Sequence, residues 1–336
     1  VVIGVLGAGS WGAALAIAMS KVASVRLWSR NDNQVQQINL THMNQGYLPE
    51  VIKFPSNVIA TSDLVWAIDV DLIVVAVPIS ALRTIINIIK EHYSNNVFPD
   101  VIWVCKGFEV GSSLLPHQII AEVLPRFDNI GALIGPSFAK EVAEGKPTAI
   151  TLASKNLQFA LKWVELLKPI PNFRVYANTD VMGAEIGAAV KNIMAIAVGI
   201  SDGLNLGYNA RAALITRSLN EIKQLVVLMG GSSETIYGLT GVGDLILTCT
   251  GELSRNRQVG LKLAGGQKVE AILAELGHVA EGVNATQEAY RLSLNLNLDM
   301  PIVETVYKIL FEQADILNSV TNLLKREPKL EFTSFS

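Results

Sequence analysis

A chain of 336 residues, 50% hydrophobic and 17% charged, is long enough for two domains and apolar enough to bury both, which excludes a disordered or fibrous protein. A formal net charge of -3 leaves no overall positive potential for displacing counterions from nucleic acid, so no nucleic-acid partner is expected and any basic site is local. Cys105 and Cys249 are far apart and have no paired spacing, so neither a disulfide framework nor a thiolate metal site is expected, and a reducing, cytoplasmic setting is.

In chain order, the uncharged opening from Val1 to Ser20 is long enough to span a bilayer or resemble a secretory signal. It lacks a basic start, and Gly4, Gly7, Gly9, Ser10 and Gly12 interrupt it where a strand would turn into a helix. Other apolar runs are shorter and flanked by charge, so no membrane contact is expected. Up to about Ala177, short β-branched runs alternate with amphipathic stretches, the pattern of βαβ units around a parallel sheet. The strand candidates are Val2 to Leu6, Val25 to Trp28, Leu72 to Val77, Val101 to Val104 and Ile130 to Ile134. Ala149 to Ala153 and Phe173 to Tyr176 flank a helix near Leu157 to Leu167 and extend the same sheet. The run from Leu72 to Val77 is apolar at every position, as a strand covered on both faces requires.

Gly7-Ala8-Gly9-Ser10-Trp11-Gly12 follows the first strand and opens a helix. Gly7 permits the turn, Gly9 lets a pyrophosphate approach the backbone, and Gly12 lets the helix sit on the sheet with its free amides facing the anion. Such a motif alone is weak evidence; its strand-turn-helix context strengthens it. Where an NAD enzyme usually places an acid after the second strand, this chain has Ser29 and Arg30, which would welcome a 2′-phosphate, so NADP(H) is preferred. The nearby Asp32 keeps NAD(H) possible, and a plain surface arginine is the bland alternative.

Lys106 falls at the carboxyl end of a strand, the edge where open α/β sheets bind ligands, though a surface lysine reads the same way. Gly135-Pro136-Ser137-Phe138-Ala139 again follows a strand, where exposed amides could cradle a ligand or simply make a turn. After Asn178 strand-like runs nearly vanish. Helical spacing covers Val181 to Gly203, Ala210 to Met229, Val269 to Leu276 and Ile302 to Leu310, with Asn178-Thr179-Asp180 as an N-cap cluster. The expected organisation is therefore a Rossmann-like doubly wound α/β domain over 1–178 and a helical substrate domain over 179–336. Lys191, beside Asn192 in a helix of small and apolar residues, either snorkels to solvent or is kept near a site, and the latter is favoured. Asp244, in a glycine-rich segment, offers a carboxylate to orient an amine, and the following Ser254-Arg255-Asn256 offers a planar fork and two neutral donors suited to a phosphate. A helix cap and surface charges are the competing explanation there.

These segments, with Val279-Ala280-Glu281-Gly282-Val283, occur in an order that resembles the NAD(P)-dependent glycerol-3-phosphate dehydrogenases, particularly the bacterial type, over essentially the whole chain. The resemblance implies hydride transfer between NADPH or NADH and dihydroxyacetone phosphate, reversibly giving sn-glycerol 3-phosphate for glycerophospholipid synthesis. It implies that Lys191 is the proton donor and acceptor beside Asp244. Lys106, Gly135, Ser137, Ser254, Arg255 and Asn256 would contact substrate. Gly7, Gly9, Ser10, Trp11, Gly12, Arg30, Lys106, Ala139, Arg255, Val279 and Glu281 would contact cofactor. A homodimer is implied on the same ground. Cys105 departs from the smaller or hydroxyl-bearing residue usual before the lysine. A β-hydroxyacid dehydrogenase, whose substrate carboxylate could use the same Ser254-Arg255-Asn256 cluster, is the rival enzyme. A non-catalytic NADP-binding protein is the rival of another class, with no need for Lys191 and Asp244. The scattered His42, His92, His117 and His278 suggest no metal site.

Overall fold

The computed structural model describes residues 1–93, 97–276 and 281–325. Its strands are β1 (Val2–Leu6), β2 (Ser24–Trp28), β3 (Val58–Thr61), β4 (Leu72–Val75), β5 (Asp100–Trp103), β6 (Ile130–Ile134), β7 (Thr148–Ala153) and β8 (Phe173–Asn178). They form one sheet in the order β3-β2-β1-β4-β5-β6-β7-β8, so the order reverses between β1 and β4. Crevices at such a reversal, outside the carboxyl ends of the strands, are where open α/β sheets take ligands. Along β4, Leu72 and Val74 join one apolar core while Ile73 and Val75 join another, which is why the strand is apolar throughout: both its faces are covered.

β1 to β6 are parallel, but β7 is antiparallel to β6 and β8 is parallel to β7, so the last two strands depart from an all-parallel expectation. The cause lies in the connection. The only helix between β6 and β7 among the described residues, Ala139–Ala143, has five residues and rises about 7.5 Å, too little to carry the chain back along the sheet. The edge strand β3 had no counterpart among the sequence candidates. It has only four residues, and its most exposed position carries Ile59 rather than a polar side chain, so it offers neither a long apolar run nor an apolar–polar alternation to mark it.

From Val181 the described elements are helical. The central helix Val181–Gly203 is capped by Asp180, which accepts from the Gly183 amide at 2.9 Å. It is long and apolar enough to cross a membrane, but 89% of its most apolar window is buried inside the protein, as in a core helix. Its Val181, Ala184 and Ala188 pack into the core against the β5 and β6 face, while Ile186, Ala189, Val190 and Ile193 belong to the helical core. The helix Arg255–Ala264 crosses it at glycines: a Cβ on Gly199 would lie 2.1 Å from the Arg257 carbonyl oxygen, and one on Gly260 2.1 Å from that of Ile196. Only glycines permit this approach, and it sets the Arg255–Ala264 helix against the carboxyl-terminal third of the central helix.

Candidate active site

The Gly7–Gly12 turn sits at the carboxyl end of β1. Gly7 has φ +119°, and a Cβ there would come 2.6 Å from the Ala76 carbonyl oxygen; a Cβ on Gly12 would lie 1.9 Å from that of Gly7. Both glycines are therefore demanded by the turn itself. At Gly9 a Cβ would meet nothing within 4 Å, so the backbone is open to a ligand. Among the described residues no side chain caps the helix Ser10–Met19 that follows, leaving its first amides for an anion. These features fit the pyrophosphate of a dinucleotide.

The second feature lies beyond β5. Asp244 opens the helix Asp244–Thr250 directly after a π-helical turn, Leu239–Gly243. Its Oδ1 lies 2.5 Å from the Lys191 ammonium and its Oδ2 3.0 Å from that of Lys106. Thr248, one turn on from Asp244, accepts from Lys191 at 2.9 Å and donates to the Asp244 carbonyl at 2.6 Å. An ammonium has three N–H bonds. Two of those of Lys191 are used among the described residues, which leaves one for a substrate oxygen.

One carboxylate between two ammoniums leaves a net positive charge in a buried place. Burial pushes Lys191 down to about 8; repulsion from Lys106 works in the same direction, and the attraction of Asp244 opposes both. Burial also works to lower Lys106, but Asp244 outweighs it and holds Lys106 above its ordinary value. For Asp244 burial acts upward, and the two ammoniums overcome it and keep the carboxyl below its usual range. A buried amine that exchanges a proton near neutrality, held by an ionised carboxylate, can serve as an acid or a base to a bound oxygen.

Two family models together account for most of the sequence: the NAD-dependent glycerol-3-phosphate dehydrogenase N-terminus over residues 2–160 and the C-terminus of the same family over residues 180–321. The chain belongs to the NAD-dependent glycerol-3-phosphate dehydrogenases. It is 49% identical over 98% of its length to a glycerol-3-phosphate dehydrogenase (NAD(P)+) of Thiobacillus denitrificans, of which 99% is covered. It is 47% identical to that of Nitrosomonas europaea, with 98% and 99% of the two chains covered. The crystal structure of the glycerol-3-phosphate dehydrogenase from Coxiella burnetii matches it with a TM-score of 0.91 at 41% identity, covering 97% of this chain and 99% of that one.

The structure of this glycerol-3-phosphate dehydrogenase brings Lys106, Lys191 and Asp244 together. Phe138 lies against Gly251, which places the Gly135–Ser137 loop beside the corner leading to Ser254; the Ser137 hydroxyl donates to the Gly135 carbonyl at 3.0 Å. Ser254 is buried and accepts from the Arg257 amide at 3.3 Å as a helix cap. Asn256 accepts from the Gly282 amide at 3.1 Å, and Asn192 reaches Glu281 at 3.4 Å. Arg255 is exposed and makes no ion pair among the described residues, whereas Arg257 is held by Asp202 at 2.7 Å. Arg30 is likewise exposed and without an ion pair among them. Ser29 corrects one expectation: it is buried, donates to Gln34 at 2.6 Å and accepts from the Asn31 amide, so it faces the protein. Ser10 donates to the Tyr47 carbonyl, while Trp11 and Ala139 pack at the edge of the sheet core. Val279 lies outside the described residues. Sequence reasoning gave Thr248 no role, although its place four residues after Asp244 on a helix puts both on one face.

Proposed function

We propose that the protein interconverts dihydroxyacetone phosphate and sn-glycerol 3-phosphate, with residues 1–178 holding the dinucleotide and residues 179–336 supplying the substrate and proton-transfer groups. The observation that carries this reading is the Lys106–Asp244–Lys191 bridge beside the carboxyl edge of a sheet whose glycine turn fits a pyrophosphate. A bound nicotinamide supplies the hydride in reduction and accepts it in oxidation.

Lys191 acts on the oxygen of the middle carbon. As an ammonium it donates a hydrogen bond to the carbonyl, stabilises the charge that develops there and gives up its proton to form the alcohol. As an amine it takes that proton back in the reverse direction. Asp244 and Thr248 fix its direction, and Asp244 keeps the site from carrying two uncompensated charges. Lys106, Gly135, Ser137, Ser254, Arg255 and Asn256 are the proposed substrate contacts, with the uncommitted fork of Arg255 suited to the phosphate. Gly7, Gly9, Ser10, Trp11, Gly12, Arg30, Lys106, Ala139, Arg255, Val279 and Glu281 are the proposed cofactor contacts. The exposed Arg30 and the missing acid after β2 support a preference for NADPH over NADH.

The product, a glycerol phosphate, suits phospholipid synthesis, and two buried free cysteines support a reducing cytoplasm. A homodimer is proposed on family resemblance, and light scattering checks it. The substrate reading is tested by following NADPH loss with dihydroxyacetone phosphate beside a panel of 2-keto acids. Turnover confined to the phosphate ester supports it; preference for a keto acid sends the reading to the β-hydroxyacid dehydrogenases. Cofactor binding without any turnover revives the non-catalytic reading.

A further inference from the structure

The segment that carries Lys106 out of β5 crosses to the helical half of the protein and is gripped at two places by buried carboxylates. Glu185, 2% exposed and six residues before Lys191 on the central helix, accepts from the Trp103 indole at 2.7 Å and from the His117 amide at 3.0 Å. Its other oxygen pairs with the His117 ring. Glu288, also 2% exposed and on the helix Glu281–Asn295, accepts from the Gly111 amide at 3.1 Å and the Ser113 hydroxyl at 2.7 Å. Arg291 completes that grip, donating to Glu288 at 2.6 Å and to Ser113 at 2.7 Å. Between the two grips Phe108 and Leu115 insert into the helical core.

We propose that Glu185 and Glu288 are positioning residues that aim Lys106 at Asp244 and the substrate. The assignment rests on the reading above that Lys106 contacts substrate. Three observations support it. The loop closes on itself through the Ser113 amide to the Glu109 carbonyl and the Glu109 amide to the Leu114 carbonyl, yet Ser113 holds φ +57°, a conformation costly for a serine that the bond from its hydroxyl to Glu288 helps to hold. Apolar plugs alone could fasten the segment, whereas buried carboxylates are costly unless their hydrogen bonds are met, and here they are met by directional donors from the segment itself. Lastly, Glu185 and Lys191 share one helix, separated by about 9 Å of helix rise, so the same rigid element sets both lysines around one carboxylate.

The test is a double-mutant cycle on the full chain. Glu288→Gln, in which the amide keeps the size but loses the charge, should raise KM for dihydroxyacetone phosphate about tenfold or more while kcat changes less, because a lysine displaced by about 1 Å binds poorly. In a Lys106→Met background the same change should have no further effect on KM. Ser113→Ala, which removes one hydrogen bond of the grip, provides a milder second variant if Glu288→Gln fails to fold. An equal effect with and without Lys106 overturns the assignment. A second arm does not depend on activity: acylation of lysines by a soluble reagent, mapped by mass spectrometry, should speed up at Lys106 in the grip variants relative to the exposed Lys140. Should the wild type fail to reduce dihydroxyacetone phosphate, the substrate reading falls and this arm decides alone, faster labelling supporting the grip and unchanged labelling overturning it.

Discussion

Removing one member of the Lys106–Asp244–Lys191 group should move the proton affinity of Lys191 in a direction that the charges dictate. On the proposed mechanism Lys191 must arrive as an ammonium for reduction, so kcat/KM should fall as pH rises through its value of about 8. One pH unit above that value about one lysine in ten remains charged, and the rate falls about tenfold. Oxidation needs the free amine and rises over the same interval. Lys106→Met removes a repelling charge, so the alkaline limb of reduction should move to higher pH. Asp244→Asn removes an attracting charge, so the limb should move to lower pH. Two unit charges about 4 Å apart interact by about 4 kcal/mol at an effective dielectric of about 20, and local relaxation reduces that. A shift of at least about one pH unit is therefore expected in each variant. The assay is the initial rate of NADPH oxidation from neutral to strongly alkaline pH, read as the shape of kcat/KM against pH, since both variants also weaken binding. Limbs that stay in place, or that move the same way in both variants, would refute the charge argument.

Other outcomes follow from the same geometry. Arg255→Gln should raise KM for dihydroxyacetone phosphate with a smaller effect on kcat, by the roughly 1.5–3 kcal/mol of a hydrogen bond to a charged group, and leave unphosphorylated dihydroxyacetone unaffected. Arg30→Glu should lower affinity for NADPH more than for NADH, as fluorescence titration with each cofactor would reveal; an unchanged ratio removes Arg30 from the cofactor site. Gly260→Ala, which sets a methyl group 2.1 Å from the Ile196 carbonyl oxygen, should cost about 1–3 kcal/mol of stability in a denaturant melt.

Much of the fold is legible in the sequence because its signals are local. β1 and β6 have the ends that their apolar runs mark, and the central helix begins at its Asp180 cap. The direction of β7 is not legible, since a strand reads alike either way and the deciding fact is the brevity of the helix before it. Ser29 shows the limit at the level of one residue: a serine after β2 suits a phosphate by composition, but its side chain turns inward to Gln34. The union of Lys191 with Asp244 spans 53 residues of sequence, and that of Lys106 with Asp244 spans 138. No spacing rule connects such distances. Resemblance supplied the Lys191–Asp244 pairing in advance but not that of Lys106 with Asp244, while the local i, i+4 relation of Asp244 and Thr248 went unused.

The central claim, that Lys191 carries the proton for reduction of a phosphorylated ketone, is tested most directly by comparing wild type and Lys191→Ala for NADPH oxidation with dihydroxyacetone phosphate, alongside NADPH binding to each. The account predicts turnover in the wild type, a loss of about 10²- to 10⁴-fold in kcat in the variant, and little change in cofactor affinity. A folded variant that retains turnover within a few-fold of the wild type would contradict it.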